Sequence, residues 1–284
     1  MNDSALLTLI NGQQANQVSV NDRGFNYGDG LFETMLVCAG KIPLLDRHWQ
    51  RLELGLQRLK ISQSLPELQQ ELNSVCEQIA NHKHAVIKLM VTRGEGARGY
   101  RASATLPPTR IISAFSYPAY ASQNWQGIWA YRCEHRYASS EMLAGIKHLN
   151  RLDNVLARRE WDSDQMAEGL IRSQDGKFVS GCFTNLFIVA GSRLLTPEIL
   201  DAGVRGVMRQ TVLEDWASDL GLEVAEVTVS DATIRDADEL FLTNALIGAW
   251  PICEFAGQSF PYGRICQQIQ ARFAALTGID HARH

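Results

Sequence analysis

Ala144-Gly145-Ile146-Lys147-His148-Leu149-Asn150-Arg151 sets a lysine among apolar neighbours just ahead of a helical pattern. The chain has six lysines, and Lys147, flanked by Gly145, Ile146 and Leu149, is the one whose surroundings favour loss of water. Desolvation disfavours the ammonium form and leaves an amine that can attack a carbonyl and form a Schiff base. A solvent-facing lysine that opens a helix has the same local sequence, so the flanking chain has to decide between the two.

On the C-terminal side, Leu149, Leu152 and Leu156 continue as a helix towards Trp161, and Gly169 to Ser173 reads as a strand. Asp175-Gly176 is a hairpin signal, followed by two strand-like runs in Phe178 to Val189 that enclose the small and polar residues Ser180 to Asn185. After a strand at Arg193 to Pro197, Asp201 to Thr211 is a glycine-bearing loop that opens a helix reaching Leu220. The free N–H groups of such a helix start suit an anion, although many helices begin this way with only water bound. A strand at Glu239 to Thr243 ends in the polar stretch Asn244-Ala245, and Ile265 to Leu276 reads as an amphipathic helix.

On the N-terminal side, Leu6 to Ile10, Asn11-Gly12 and Val18 to Val20 predict a hairpin. Asn21 to Thr34 holds three glycines among aromatics and acids, including Tyr27, and predicts a tight loop entering a strand at Leu31 to Val37. Leu45, Trp49, Leu52, Leu56 and Leu59 share a helical face from which Arg51 and Arg58 diverge, and Leu68, Leu72, Val75 and Ile79 form a second stripe. Between strands at Ala85 to Thr92 and Arg110 to Tyr117 lies a loop carrying Arg93, Arg98, Tyr100 and Arg101. Its planar bidentate donors suit small carboxylates; a solvated hairpin is the alternative.

At 284 residues and 45% apolar content, the chain exceeds the usual size of one core. Two lobes are predicted: a smaller αβ lobe over residues 1–117, a linker over 118–124, and a larger lobe over 125–284. The net charge of -4, without a basic cluster, gives no reason to expect nucleic acid as a partner. No apolar run is long enough for a membrane span, and no signal segment opens the chain. The six cysteines are scattered with no metal-ligand spacing, which fits buried thiols in a cytoplasmic protein with no metal.

Together these stretches resemble the fold type IV pyridoxal-phosphate enzymes, and among them the aminodeoxychorismate lyases of folate synthesis. The resemblance is carried by Asp22-Arg23-Gly24 with Tyr27-Gly28-Asp29-Gly30, by the Arg93 to Tyr100 loop, by Gly145 to Leu152, and by Gly203 to Arg209. It implies an α+β (α/β) two-lobed architecture whose larger, cofactor-binding lobe has a β-barrel-like core. The cofactor would be pyridoxal 5'-phosphate, the substrate 4-amino-4-deoxychorismate and the assembly a homodimer. It further implies that Lys147 holds the cofactor and moves protons, and that Arg51, Val207, Met208, Thr243, Asn244 and Ala245 surround its phosphate. Arg98, with Arg93, would meet substrate carboxylates, and Tyr100 and Tyr27 would shape the pocket. His148 and Asn150 would support Lys147.

One position departs from the family pattern. Five residues before the asparagine matching Asn185 the family carries a glutamate that pairs with the pyridine nitrogen; this chain has Ser180. A hydroxyl cannot stabilise a pyridinium by charge, so the resemblance implies a weaker electron sink. That should harm transamination more than a lyase reaction, in which formation of an aromatic ring supplies driving force. A D-amino-acid or branched-chain aminotransferase is the second expectation, and a weakly active cofactor-binding homologue the third.

Overall fold

The computed structural model describes residues 4–103, 105–163 and 165–279, and the chain divides into two compact units. The first comprises residues 1–119 together with Ile146–Asn150; the second comprises Tyr120–Gly145 and Arg151 onward.

The first unit opens on β1 (Leu7–Ile10) and β2 (Gln13–Gln14). Their turn uses Asn11 and Gly12 at φ of 50° and 76°, the left-handed pair that an Asn-Gly hairpin needs. The returning strand is Gln13–Gln14 rather than Val18 to Val20. Val18 and Val20 are exposed and have no apolar surface to alternate against. Next comes a short helix, α1 (Arg23–Tyr27), capped by the Asp22 carboxylate on the Gly24 N–H and ended by Gly28 in the left-handed region. Beyond it run β3 (Gly30–Cys38), α2 (Leu45–Leu59), α3 (Leu65–Gln78), β4 (His84–Thr92) and β5 (Thr109–Ser116). The strands form an antiparallel sheet in the order β2-β1-β5-β4-β3. Period-2 alternation places Leu31, Glu33, Met35 and Val37 on one face of β3, and α2 packs against this strand.

The second unit begins with a 3-10 turn at Ser122–Trp125, then β6 (Ile128–Arg136), α4 (Leu152–Arg158), β7 (Met166–Arg172), β8 (Phe178–Gly181), β9 (Asn185–Ala190) and β10 (Arg193–Pro197). Within the stretch 118–124, Tyr120 already packs edge-on against Trp125 and Trp250, so this aromatic cluster marks where the second unit starts. A helix α5 (Val207–Thr211) continues through a π turn at Val212–Trp216 into α6 (Ala217–Asp219). The remainder is β11 (Glu223–Val227), α7 (Asp231–Arg235), β12 (Glu239–Asn244), β13 (Gly248–Phe255), β14 (Gln258–Ser259) and α8 (Arg264–Thr277).

The mixed sheet runs β11-β10-β9-β12-β13-β6-β7-β8, with β14 on β13. Its β8 edge returns against β9 and β10, so the sheet curls around a core that includes Leu186, Ile188, Leu240, Leu242 and Trp250. The α+β architecture with a barrel-like larger unit is thus present. No helix among the described residues is long and apolar enough to cross a membrane.

Candidate active site

In the first unit, Ile146–Asn150 pairs with the start of β3. The Phe32 N–H donates to the Lys147 carbonyl at 2.9 Å, the Leu149 N–H donates to the Gly30 carbonyl at 2.9 Å, and Leu31 bridges His148. Lys147 is therefore held by strand pairing, five residues ahead of α4. Its side chain is half-buried, with Nζ 4.3 Å from the centroid of the Phe32 ring. The Asn150 amide donates to the Gly28 carbonyl at 3.1 Å, and a Cβ on Gly28 would lie 2.5 Å from its Oδ1.

Near Lys147 lies a buried charge cluster. Glu33, 1% exposed, accepts from Arg51 Nε at 2.8 Å and from Arg51 Nη2, and from His48 Nδ1 at 2.7 Å. Burial alone would raise the Glu33 carboxyl, but the Arg51 charge and hydrogen bonds, with the His48 bond, outweigh it and hold it at about 2. His48 is pushed down by burial, against the raising effect of Glu33, with the Arg51 and Lys147 charges adding to the fall. A neutral His48 donates from Nδ1, because an ionised carboxylate only accepts.

The arginine loop after β4 is tied to α1. Arg23 donates to Asp29 at 3.0 Å, to the Gly99 carbonyl at 2.9 Å and to the Tyr100 carbonyl at 3.0 Å. Arg93 engages both oxygens of Asp29 and the carbonyls of Leu59 and Lys60, so its fork serves its own chain. Arg98, Tyr27 and Tyr100 instead line a cavity of about 430 Å³, with the two tyrosine rings meeting edge-on at 5.6 Å.

In the second unit, Ser180 is buried on β8. Its Oγ lies 3.1 Å from the Tyr137 hydroxyl and donates to the Gly181 carbonyl at 2.9 Å, and the Asn154 amide donates to Tyr137 at 2.9 Å. Since Ser180 has one proton and Asn154 Nδ2 can only donate, the bonds run one way: Asn154 to Tyr137 to Ser180 to Gly181. Burial pushes the Tyr137 phenol up to about 12, so this row of groups is neutral.

Asn185 donates to the Val204 carbonyl at 2.9 Å, and a Cβ on Gly206 would fall 2.0 Å from its Oδ1. Gly206 caps α5 with no side chain, leaving the first N–H groups at Val207 and Met208 unserved by a cap. The helix packs on β12, where Thr243 is fully buried and its Oγ1 has no hydrogen-bond partner among the described residues. Asn244 Oδ1 accepts from the N–H groups of Leu246 and Ile247 and shapes the bend through Ala245. A hydroxyl left without a partner beside an uncapped helix start is the environment that an anionic group satisfies.

A family profile described as amino-transferase class IV matches residues 30–255. This chain belongs to the class IV aminotransferase family. Among family relatives, it is 33% identical over 267 residues to an aminodeoxychorismate lyase from Vibrio harveyi, covering 92% of this chain and 97% of the relative. It superimposes with a TM-score of 0.91 on the crystal structure of 4-amino-4-deoxychorismate lyase from Pseudomonas aeruginosa, at 42% identity, covering 95% of this chain and 98% of the other. A D-alanine aminotransferase from Bacillus licheniformis is 26% identical over 253 residues, covering 87% and 86%.

Sequence reasoning missed Glu33, His48, Tyr137 and Asn154. For Glu33 a signal was present: it stands at the buried parity of Leu31, Met35 and Val37, where an acid needs partners. Arg51 and His48 lie three residues apart on α2, the spacing at which two side chains share a helix face. Tyr137 reaches Ser180 across 43 residues of chain and Asn154 reaches Tyr137 across 17, and local sequence holds no sign of either meeting.

Proposed function

We propose that this protein is a pyridoxal-phosphate-dependent lyase that converts 4-amino-4-deoxychorismate to 4-aminobenzoate and pyruvate. What carries the reading is near-full-length similarity to two lyases of that name. The partnerless Thr243 hydroxyl beside the uncapped start of α5 fits the cofactor's phosphate. In this reading Val207 and Met208 give backbone N–H groups to that phosphate, together with Thr243, Asn244, Ala245 and Arg51. Glu33 holds the Arg51 guanidinium in place, so the arginine acts as a positioned cation.

When bound, pyridoxal phosphate supplies an electron sink for charge that develops on the substrate. Lys147 Nζ would hold the cofactor, and as a free amine it would take the proton from the substrate ring C4. Loss of that proton, cleavage of the ring carbon–oxygen bond and delivery of a proton to the enolpyruvyl methylene would release pyruvate and leave an aromatic ring, whose formation supplies driving force. Arg98 suits a substrate carboxylate better than Arg93, whose fork is already engaged, and Tyr27 and Tyr100 wall the cavity around it. Ser180 and Asn185 would face the cofactor, with Ser180 offering the ring a neutral oxygen whose proton is directed to Gly181. Such a ring is a weaker electron sink, which suits a lyase better than an aminotransferase. The protein acts as a homodimer in the cytoplasm, on a small-molecule substrate of folate synthesis.

The test is to follow pyruvate and 4-aminobenzoate on adding substrate, with Lys147→Ala alongside. Wild type should release both in equal amounts and the variant should fall by at least about a thousandfold. Retained turnover in Lys147→Ala, or exchange between amino acids and 2-oxo acids at rates above pyruvate release, would overturn the reading. Ser180→Glu should shift the absorption of the bound cofactor.

A further inference from the structure

Glu168, on β7, is fully buried, and its partners are dipoles. Its carboxylate accepts from the N–H of Gly169 at 2.8 Å, of Cys182 at 3.0 Å and of Phe183 at 3.1 Å, and from the Thr184 hydroxyl at 2.8 Å. Three of these donors come from consecutive residues in the turn between β8 and β9. At the head of the same turn a Cβ on Gly181 would lie 2.7 Å from Glu168 Oε2 and 2.1 Å from Thr184 Oγ1. The turn is thus wrapped around the carboxylate so closely that only glycine fits at its first position.

From this turn the chain passes directly to Asn185, which holds the Val204 carbonyl and fills the space that a side chain at Gly206 would need. Gly206 is the residue from which α5 starts. A continuous set of contacts therefore runs from Glu168 through the turn and Asn185 to the first N–H groups of α5. It includes no other carboxylate able to collect the turn's donors.

We propose that Glu168 is a positioning residue that sets the β8–β9 turn and, through Asn185, the placement of the helix start that receives the cofactor phosphate. The proposal rests on the assignment of Asn185 and the α5 start to the cofactor. Glu168 touches neither cofactor nor substrate; it acts through the turn. An amide in its place keeps the size but turns an NH2 group towards donors, leaving at least one of them unsatisfied in a buried place.

The full chain, stripped of cofactor, is titrated with pyridoxal phosphate while absorption is recorded, and backbone hydrogen exchange is measured in parallel. Glu168→Gln should raise the Kd for pyridoxal phosphate about tenfold or more and displace the absorption maximum. Exchange should accelerate at the amides of Cys182, Phe183 and the α5 start, and stay unchanged in β3 and β4. Should Glu168→Gln not fold, Thr184→Val removes one donor only and should raise the Kd about threefold with the same pattern of exchange. Unchanged affinity and exchange in the folded variant would overturn the proposal, as would uniform acceleration throughout the second unit with unaltered absorption. Wild type that fails to bind pyridoxal phosphate would instead overturn the cofactor assignment on which the proposal stands.

Discussion

Glu33 in the first unit and Glu168 in the second are both buried carboxylates, yet their chemistry is opposite. Glu33 faces the Arg51 guanidinium and His48, and is held at about 2. At Glu168, burial pushes the carboxyl up to about 7 against the lowering effect of three N–H groups and one hydroxyl. Equal removal from water costs both acids alike. A full positive charge at hydrogen-bond distance more than offsets that cost, whereas four dipoles offset it only in part. The contrast suits the roles proposed for their surroundings. The first unit holds a fixed ion pair near Lys147, and the second keeps neutral hydroxyls together at Ser180 and Tyr137.

The largest expected effect comes from breaking the charged side. Glu33→Gln leaves the Arg51 charge buried without its counter-ion and should lower stability by about 3–5 kcal/mol, read from urea unfolding of the cofactor-free chain. A loss under about 1 kcal/mol would show that the pair is not the dominant partner of Arg51.

Next, the two acids should give pH dependences of opposite sign. Glu33, lowered in the fold, stabilises above its unfolded value near 4.5, and this contribution is lost as pH falls towards 2. Glu168, raised in the fold, contributes stability that is complete below about 4.5 and is lost as pH rises through about 7, on the order of 3 kcal/mol over that interval. Unfolding midpoints from pH 5 to 8 should therefore show a downward trend with rising pH in wild type that is absent in Glu168→Gln. Parallel curves for the two proteins would refute the contrast.

A smaller effect is expected from Tyr137→Phe, which deprives the Asn154 amide and the Ser180 hydroxyl of a shared neutral partner. It should cost about 1–2 kcal/mol without a pH trend of its own, and the bound cofactor's absorption should shift as Ser180 loses its donor. The smallest is Ser230→Ala, which removes the capping box of α7, distant in sequence from both acids. About 1 kcal/mol, constant from pH 5 to 8, would supply the baseline against which the other slopes are judged.

Much of this protein could be read from local pattern. The leucine stripes of α2 and α3, the period-2 runs of β3 and β4 and the turn at Asp175-Gly176 are set by neighbours within a few residues, and each is where the sequence places it. The failures share a cause. Val18 to Val20 has strand-like alternation but no buried surface to face. β11 and β13 were not anticipated, because Glu223–Val227 is largely exposed and Gly248–Phe255 has the continuous burial that hides alternation.

By itself, the sequence marked Lys147 as a candidate reactive amine and the arginine loop as a set of planar donors suited to carboxylates, and it determined that position 180 carries no acid. These are properties of residue type and short spacing. Tertiary structure alone decided that Arg51 is held by Glu33, that Arg93 is bound to Asp29 while Arg98 lines the cavity, and that Tyr137, itself bonded by Asn154, meets Ser180. The physical reason is that a side chain's charge and direction depend on which dipoles and ions it meets after burial. Those partners come from strands and helices that local sequence does not bring together.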